Sequence, residues 1–138
     1  MNFQEFLEHS KLDSKDYQRE GVEWCIGREQ SAIEQSALEQ SALEQRDEEP
    51  SQQYCAGGIV ADEMGLGKTI MMIATIVCNF KMPTLIVLPN VLLEQWKEQI
   101  YKTTGHKAIV YHGQVKKILT AKQLQYIPII LTTYGTVL

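Results

Sequence analysis

The 138-residue sequence predicts an α/β fold in which helices flank a parallel β-sheet. Short, continuously apolar runs alternate along the chain with longer segments of helical periodicity. This alternation is typical of βαβ units, whose parallel strands are buried on both faces. One apolar run, at 59–61, also passes directly into a glycine-punctuated loop that opens a helix, an arrangement that α/β proteins use to bind phosphate.

The individual strands and helices are predicted from these runs in chain order. The strands fall at 59–61, 84–88, 108–111 and 127–132, and the helices at 14–27, 68–80 and 91–102, with a weaker helix within 114–125. Ser14 is a candidate N-cap for the first helix. One apolar face of the 91–102 helix is expected to face the core, through Leu92, Leu93, Trp96 and Ile100.

Residues 29–45 repeat a pentapeptide of the form Glu-Gln-Ser-Ala-Leu. On an α-helix a period of five rotates the apolar position by about 140° at each step, so Ile33, Leu38 and Leu43 form no stripe. We interpret the repeat as a low-complexity insertion, a frayed helix or disordered, with a partner-binding helix as the alternative. The predicted organisation is an N-terminal helical segment (1–27), an acidic repeat insertion (28–53) and an α/β domain (54–138).

Composition bounds the class of protein. No stretch reaches the roughly 20 apolar residues that span a bilayer, and the N-terminus lacks the basic and apolar regions of a secretory signal. The cysteines have no metal-ligand spacing and are expected to be free thiols in a reducing compartment: Cys25, Cys55 and Cys78. The histidines are interpreted as structural or exposed: His9, His106 and His112.

Charge is distributed unevenly along the chain. Two Arg and seven Asp or Glu give residues 28–49 a net charge of −5. Eight Lys and two Glu give residues 64–138 a net charge of +6. The basic half favours a polyanion such as nucleic acid, or else it is a solvated lysine-rich surface.

The segment 57–69 reads Gly-Gly-Ile-Val-Ala-Asp-Glu-Met-Gly-Leu-Gly-Lys-Thr and predicts a triphosphate-binding loop. Gly65 and Gly67 allow backbone conformations in which successive N–H groups face an anion. Lys68 is expected to reach the β- and γ-phosphates, and the Thr69 hydroxyl to complete the shell of Mg²⁺ carried by ATP. The alternative is an ordinary turn at the start of a helix.

Asp62 departs from the usual loop pattern, which has Gly at this position. With Glu63 it imitates the acidic box that holds Mg²⁺ in many ATPases. One strand end cannot supply both that box and the phosphate loop, so we reject the acidic-box interpretation.

The segment 57–70 resembles motif I of the Swi/Snf-like ATP-dependent DNA translocases of helicase superfamily two, in which Asp62 would belong to the signature. Further segments resemble family motifs in the same order: 17–24 the Q motif, 84–96 motif Ia and 131–134 the threonine-tyrosine segment. Residues 110–113, Val-Tyr-His-Gly, are similar to a segment found in the branch of this family that includes DNA-damage-tolerance ubiquitin ligases. The resemblance implies that residues 54–138 form an incomplete ATP-binding lobe, part of the first RecA-like lobe of a helicase with a P-loop NTPase fold.

The resemblance also implies roles for individual residues. Gln18 recognises adenine, and Lys68 is the catalytic residue. The nucleotide-binding loop comprises Asp62, Glu63, Met64, Gly65, Leu66, Gly67, Lys68 and Thr69. Residues at two strand ends are expected to lie near one DNA strand: Pro89, Asn90, Thr132 and Thr133.

The function implied by the resemblance is binding of ATP and Mg²⁺ in a protein that moves along double-stranded DNA and displaces or remodels bound proteins, nucleosomes included. Such a protein is intracellular, and nuclear in a eukaryote. In the family an acidic box and a second lobe with arginine fingers follow the threonine-tyrosine segment, and the sequence reaches neither. We therefore expect a fragment that binds ATP–Mg²⁺ weakly and does not hydrolyse it at a useful rate.

Two other functions remain as alternatives. A P-loop kinase of nucleotides or small molecules predicts Gly at position 62 and no Tyr-Gln segment upstream. The sequence instead has Asp62, and it does have a Tyr-Gln segment at 17–18. A non-catalytic nucleotide-binding or interaction module is the other alternative.

Overall fold

The structure is a computed structural model that describes residues 1–43 and 57–137. The described residues form two compact units, Lys15–Thr75 and Met1–Ser14 with Ile76–Leu138. The end of the predicted insertion and Cys55 lie outside the described residues. Within the part of the chain that the structure describes, no helix is both long enough and apolar enough to cross a membrane.

The Lys15–Thr75 unit contains one long helix and the predicted phosphate loop. α2 (Asp16–Leu43) begins two residues after Ser14, so Ser14 is not adjacent to the first helical residue as an N-cap would be. α2 continues into the pentapeptide repeat because Glu, Gln, Ala and Leu are good helix formers. Ile33 is exposed there, in agreement with the absence of an apolar stripe. α3 (Lys68–Cys78) begins where the loop ends.

The predicted strand at 59–61 is wrong. Residues 57–63 have no regular secondary structure, and Ile59 is 87% exposed. A strand needs a neighbour that satisfies its backbone groups. Among the described residues, the strands pair only with one another at 84–88, 109–110 and 129–133. The segment instead packs at Gly58 against the ring of Trp24.

The other unit is built on a parallel three-stranded sheet. Its strands are β1 (Thr84–Leu88), β2 (Ile109–Val110) and β3 (Ile129–Thr133), in the order β1-β3-β2. All five residues of the central β3 are buried, as its continuous apolar run predicts. Pro128 has no N–H to give to a ladder and lies just before β3, where its carbonyl accepts a hydrogen bond from the Thr84 N–H at 2.9 Å.

Helices cover this sheet. A 3₁₀ turn (Asn90–Leu92) leads from β1 into α4 (Leu93–Thr104). The helix predicted at 91–102 is thereby confirmed, except that its first two residues belong to the 3₁₀ turn. On the predicted apolar face, Leu93 and Ile100 are buried, whereas Leu92 and Trp96 are half-buried. Within the predicted N-terminal helical segment (1–27), a separate first helix was not predicted: α1 (Phe3–Ser10) packs on α4 and buries Phe6 and Leu7.

Three short helices complete this unit. The weaker helix predicted within 114–125 is two helices, α5 (Val115–Ile118) and α6 (Ala121–Leu124). They are separate because Leu119 has an extended backbone and Thr120 begins α6 with a capping box. α7 (Tyr134–Val137) follows β3 without a loop.

Candidate nucleotide site and nucleic-acid edge

The phosphate loop has the backbone conformation that its glycines predict. Gly65 and Gly67 lie at φ +89° and +81°, a region that residues with a Cβ rarely adopt. Lys68 and Thr69 then form the first residues of α3, whose first N–H groups and positive dipole end are suited to an anion. The loop residues Asp62, Glu63, Met64 and Gly65 are exposed, and Leu66 is half-buried.

Gln18 is fixed to this loop. Its side-chain amide Nε2 donates a hydrogen bond to the Leu66 carbonyl oxygen at 3.0 Å, and the residue is only 8% exposed. A Cβ at Gly67 would lie 2.6 Å from the same Nε2. Glycine at 67 is therefore required twice, by its positive φ and by the close approach of Gln18.

Lys68 folds back over its own loop. Its ammonium donates to the carbonyl oxygens of Asp62 at 2.6 Å and Glu63 at 2.8 Å. These short, charge-assisted bonds hold the positive charge above the loop. Lys68 thus bonds the backbone carbonyl oxygens of Asp62 and Glu63, and the side-chain carboxylates of these two residues take no part in the two bonds.

Two cavities flank the loop within the Lys15–Thr75 unit. Each has a volume of about 360 Å³, and Trp24 lines both. One is bordered by Tyr17, Asp62 and Leu66, and the other by Cys25, Gly57 and Lys68. A cavity of this size lies at the lower end of the range for small-molecule sites.

The residues present fit magnesium only together with a nucleotide. In residues 1–43 and 57–137, no group of three or more His, Cys, Asp or Glu side chains is placed to hold a metal ion. Thr69 offers a hydroxyl at the start of α3, next to the lysine of the loop. A magnesium ion here would be held by that hydroxyl and by phosphate oxygens.

Cys25 and Cys78 are free thiols. Burial raises the pKa of Cys25, the Thr75 hydroxyl opposes this by hydrogen bonding, and the Glu29 and Asp62 carboxylates add to the rise. Burial likewise raises the pKa of Cys78, and the chain's N-terminal charge opposes it. Both thiols are therefore held in their protonated, poorly nucleophilic form.

The second predicted group of site residues lies at the carboxyl edge of the sheet. Leu88 pairs with Thr133, so Pro89 and Asn90, both exposed, follow β1 at the height where β3 ends. Thr132 is 1% exposed, and its hydroxyl donates to the Tyr111 carbonyl oxygen at 2.8 Å. Thr133 is also buried. The structure brings these residues to one edge, with the Thr132 hydroxyl committed to a protein partner.

The sequence did not single out two residues that join this edge. The His112 Nδ1 atom lies 3.3 Å from the Thr133 hydroxyl oxygen and 3.4 Å from that of Thr136. His112 is exposed, as the sequence predicts, but neither His112 nor Thr136 is among the residues predicted to lie near DNA. The available signal was the position of His112, two residues beyond the strand that pairs with β3.

Comparison with known proteins identifies the family. A sequence profile described as the SNF2-related domain matches residues 17–138. The chain belongs to the Snf2 family of helicase superfamily two. ATP-dependent helicase rhp16 of Schizosaccharomyces pombe is 35% identical over 125 residues, covering 88% of this chain and 12% of that protein. DNA repair protein RAD5 of Candida albicans is 40% identical over 105 residues, covering 59% of this chain and 10% of that protein.

A solved structure has the same fold as this Snf2-family chain. It is the SWI2/SNF2 ATPase core of Sulfolobus solfataricus in complex with dsDNA, with a TM-score of 0.64 and 28% identity. The match covers 91% of this chain and 22% of that chain. The predicted RecA-like α/β fold and family are thereby confirmed. The chain spans a small part of each relative, about an eighth of rhp16.

Proposed function

We propose that this chain forms the ATP-binding part of a Snf2-family, ATP-dependent translocase that moves on double-stranded DNA. The single observation that carries the proposal is the hydrogen bond that joins Gln18 to the phosphate loop at Leu66. It links the residue suited to an adenine edge to the loop suited to phosphates.

Gln18 has the capacity to hold adenine while it is bound to the loop. A glutamine amide has two N–H donors and a carbonyl acceptor, and the Leu66 carbonyl uses one donor. The second N–H and the carbonyl oxygen form the pair that matches the N7 and N6 positions of adenine. The base would lie in the neighbouring cavity of about 360 Å³ that Tyr17 and Trp24 line.

Lys68 would bind phosphate by exchanging its present partners. Its ammonium is held by the Asp62 and Glu63 carbonyls. A triphosphate in the loop offers oxygen acceptors that carry full negative charge, which attract the ammonium more strongly than the partial charge of a carbonyl oxygen does. The bound Mg²⁺ would supply neutralisation of phosphate charge. Thr69 would hold that ion, and the glycines would turn backbone N–H groups toward the phosphates.

The carboxyl edge of the sheet would contact the DNA backbone. Asn90 offers an exposed amide there, and Thr133 lies at the same edge with its buried hydroxyl at the end of β3. Such neutral groups bind phosphates without reading the base sequence. Thr132 would act as a positioning residue, because its buried hydroxyl ties β3 to Tyr111. Movement along DNA and displacement of bound proteins, nucleosomes included, are proposed for the whole protein.

The test is a calorimetric titration of the 138-residue chain with ATP and Mg²⁺. We expect Lys68→Ala to weaken binding about tenfold or more, because it removes charge-assisted bonds to phosphate. Lys122→Ala is the matched control, since Lys122 is an exposed lysine on α6. Equal affinity of wild type and Lys68→Ala, with both variants folded by circular dichroism, would contradict the proposed site.

A further inference from the structure

Three polar side-chain atoms form a closed triangle at the carboxyl edge of the sheet. The hydroxyl oxygens of Thr133 and Thr136 lie 3.1 Å apart, and the His112 Nδ1 atom lies 3.3 Å and 3.4 Å from them. Each distance is within hydrogen-bonding range. The three residues come from different places: the loop after β2, the last residue of β3, and α7.

Strand register explains why these residues meet. Val110 of β2 pairs with Leu131, so the chain after β2 runs beside the last two residues of β3. Two hydrogen bonds extend this pairing past the strand, from the Tyr111 N–H to the Leu131 carbonyl at 2.7 Å and from the Thr132 hydroxyl to the Tyr111 carbonyl. His112 is thereby held next to Thr133.

Counting protons shows what the triangle can offer to a ligand. A neutral imidazole has one N–H, and each hydroxyl has one proton. When Nδ1 carries the proton, it can donate to Thr133, whose hydroxyl can donate to Thr136. The Thr136 proton then has no acceptor within the triangle. Thr133 is buried and Thr136 is half-buried, so the outer end of the chain of donors is Thr136.

We propose that His112, Thr133 and Thr136 form a polar relay that presents the Thr136 hydroxyl to a phosphate of the DNA backbone. The inference rests on the proposed function, and it adds a contact residue, Thr136, and a positioning residue, His112. Chains of hydrogen bonds polarise one another, so the last donor is strengthened by those behind it.

The surroundings indicate a neutral contact. His112 and Asn90 line the same depression of about 750 Å³, together with Glu94 and Lys97. The Lys97 ammonium lies 3.0 Å from the Glu94 carboxylate, so the two charges compensate each other. A phosphate held here is bound by hydroxyl and amide donors, which adds affinity without releasing additional counterions.

The experiment measures binding of a fluorescent duplex of about 20 base pairs by anisotropy at pH 8, over a series of salt concentrations. Imidazole side chains are ordinarily neutral at this pH. We expect Thr136→Val and His112→Ala each to weaken binding about tenfold, with an unchanged slope of log affinity against log salt. The double variant should lose no more than either single one, because all members of a relay act as a unit.

Conservative variants separate positioning from general structural damage. His112→Asn puts a side-chain amide near the place of Nδ1 and should restore binding to within about twofold of wild type. His9→Ala, an exposed histidine on α1, is the matched control and should bind as wild type does. Circular dichroism confirms that each variant is folded.

Several results would overturn the relay. Wild-type affinity in Thr136→Val, failure of His112→Asn to restore binding, or a salt slope reduced by about one in His112→Ala contradicts it while the proposed function stands. A wild-type chain that binds ATP but no duplex overturns the relay together with the DNA part of the proposed function. ATP binding, measured in parallel, separates these cases.

Discussion

The side-chain amide of Gln18 donates a hydrogen bond to the carbonyl oxygen of Leu66, 48 residues further along the chain. The contact places Gln18 beside Gly67, where a Cβ would lie 2.6 Å from the Gln18 nitrogen. This contact therefore joins helix α2 to the phosphate loop. In the proposed function, the residue that contacts the loop would also hold the base.

We expect Gly67→Ala to destabilise the chain by about 1–2 kcal/mol, because alanine is strained at positive φ. It should also lower ATP affinity, since its Cβ displaces Gln18. Urea unfolding and ATP titration measure the two effects.

Gly27→Ala is the matched control, because no atom lies within 4 Å of its added Cβ and Gly27 is helical. The control should gain about 0.5–1 kcal/mol. Equal stabilities of the two variants would contradict the geometry.

Thr132→Val should cost about 1–2 kcal/mol in the free energy of unfolding. The substitution keeps the shape of a 1% exposed side chain but removes the donor to the Tyr111 carbonyl. Thr84→Val is the control, since its hydroxyl bonds the Lys81 carbonyl at an exposed site where water can replace it. We expect the control to lose less than about 0.5 kcal/mol. A Thr132 variant as stable as wild type would show that the bond does not hold the strand end.

Cys25 should react slowly with iodoacetamide until the pH rises above the range of an ordinary thiol. Burial raises its pKa, and only the thiolate is a nucleophile. The measurement uses a Cys55→Ser, Cys78→Ala variant, in which Cys25 is the remaining thiol. Denaturation in urea should restore ordinary reactivity. A folded-state profile that coincides with the denatured one would exclude the predicted burial effect.

The same shift has a consequence for stability. The folded state binds the Cys25 proton more tightly than the unfolded state, so the stabilisation is complete below the ordinary thiol pKa and is lost as pH rises through the raised value. We expect the difference in unfolding free energy between wild type and Cys25→Ala to shrink between neutral and alkaline pH. A difference that grows over that interval would reverse the predicted sign.

The 138-residue chain should bind ATP without hydrolysing it at a useful rate. Residues 47–138 contain no arginine to stabilise transition-state charge, and Arg28, which borders the same cavity as Lys68, donates through its Nε to the Gly57 carbonyl oxygen at 3.3 Å. A single such residue is worth about 10³–10⁵ in rate. Phosphate release is measured with and without duplex DNA. DNA-stimulated hydrolysis that disappears in Lys68→Ala would contradict this expectation.

Local patterns predicted the local backbone structure of the candidate site. The glycines at 65 and 67, followed by Lys68, predicted a loop with positive φ angles at the start of a helix, because φ and helix initiation depend on neighbouring residues. The apolar runs at 84–88 and 127–132 likewise foretold β1 and β3, the latter within two residues at its start and one at its end.

Features that depend on distant pairing were missed or wrong. The run at 59–61 reads as a strand, but a strand requires a partner that the run itself does not specify. The His112 cluster depends on the register of β2 and β3, and the Gln18 contact joins residues 48 positions apart. Periodicity within one segment does not indicate which residues of a distant segment lie beside it.

The most direct test compares ATP with inorganic triphosphate as ligands of wild type, Gln18→Ala and Lys68→Ala, each in the presence of Mg²⁺. If Gln18 holds the base and Lys68 the phosphates, Gln18→Ala should weaken ATP binding about tenfold and change triphosphate binding by less than about threefold. Lys68→Ala should weaken both ligands about equally. Equal losses of ATP and triphosphate in Gln18→Ala, or undiminished triphosphate binding in Lys68→Ala, would contradict the account.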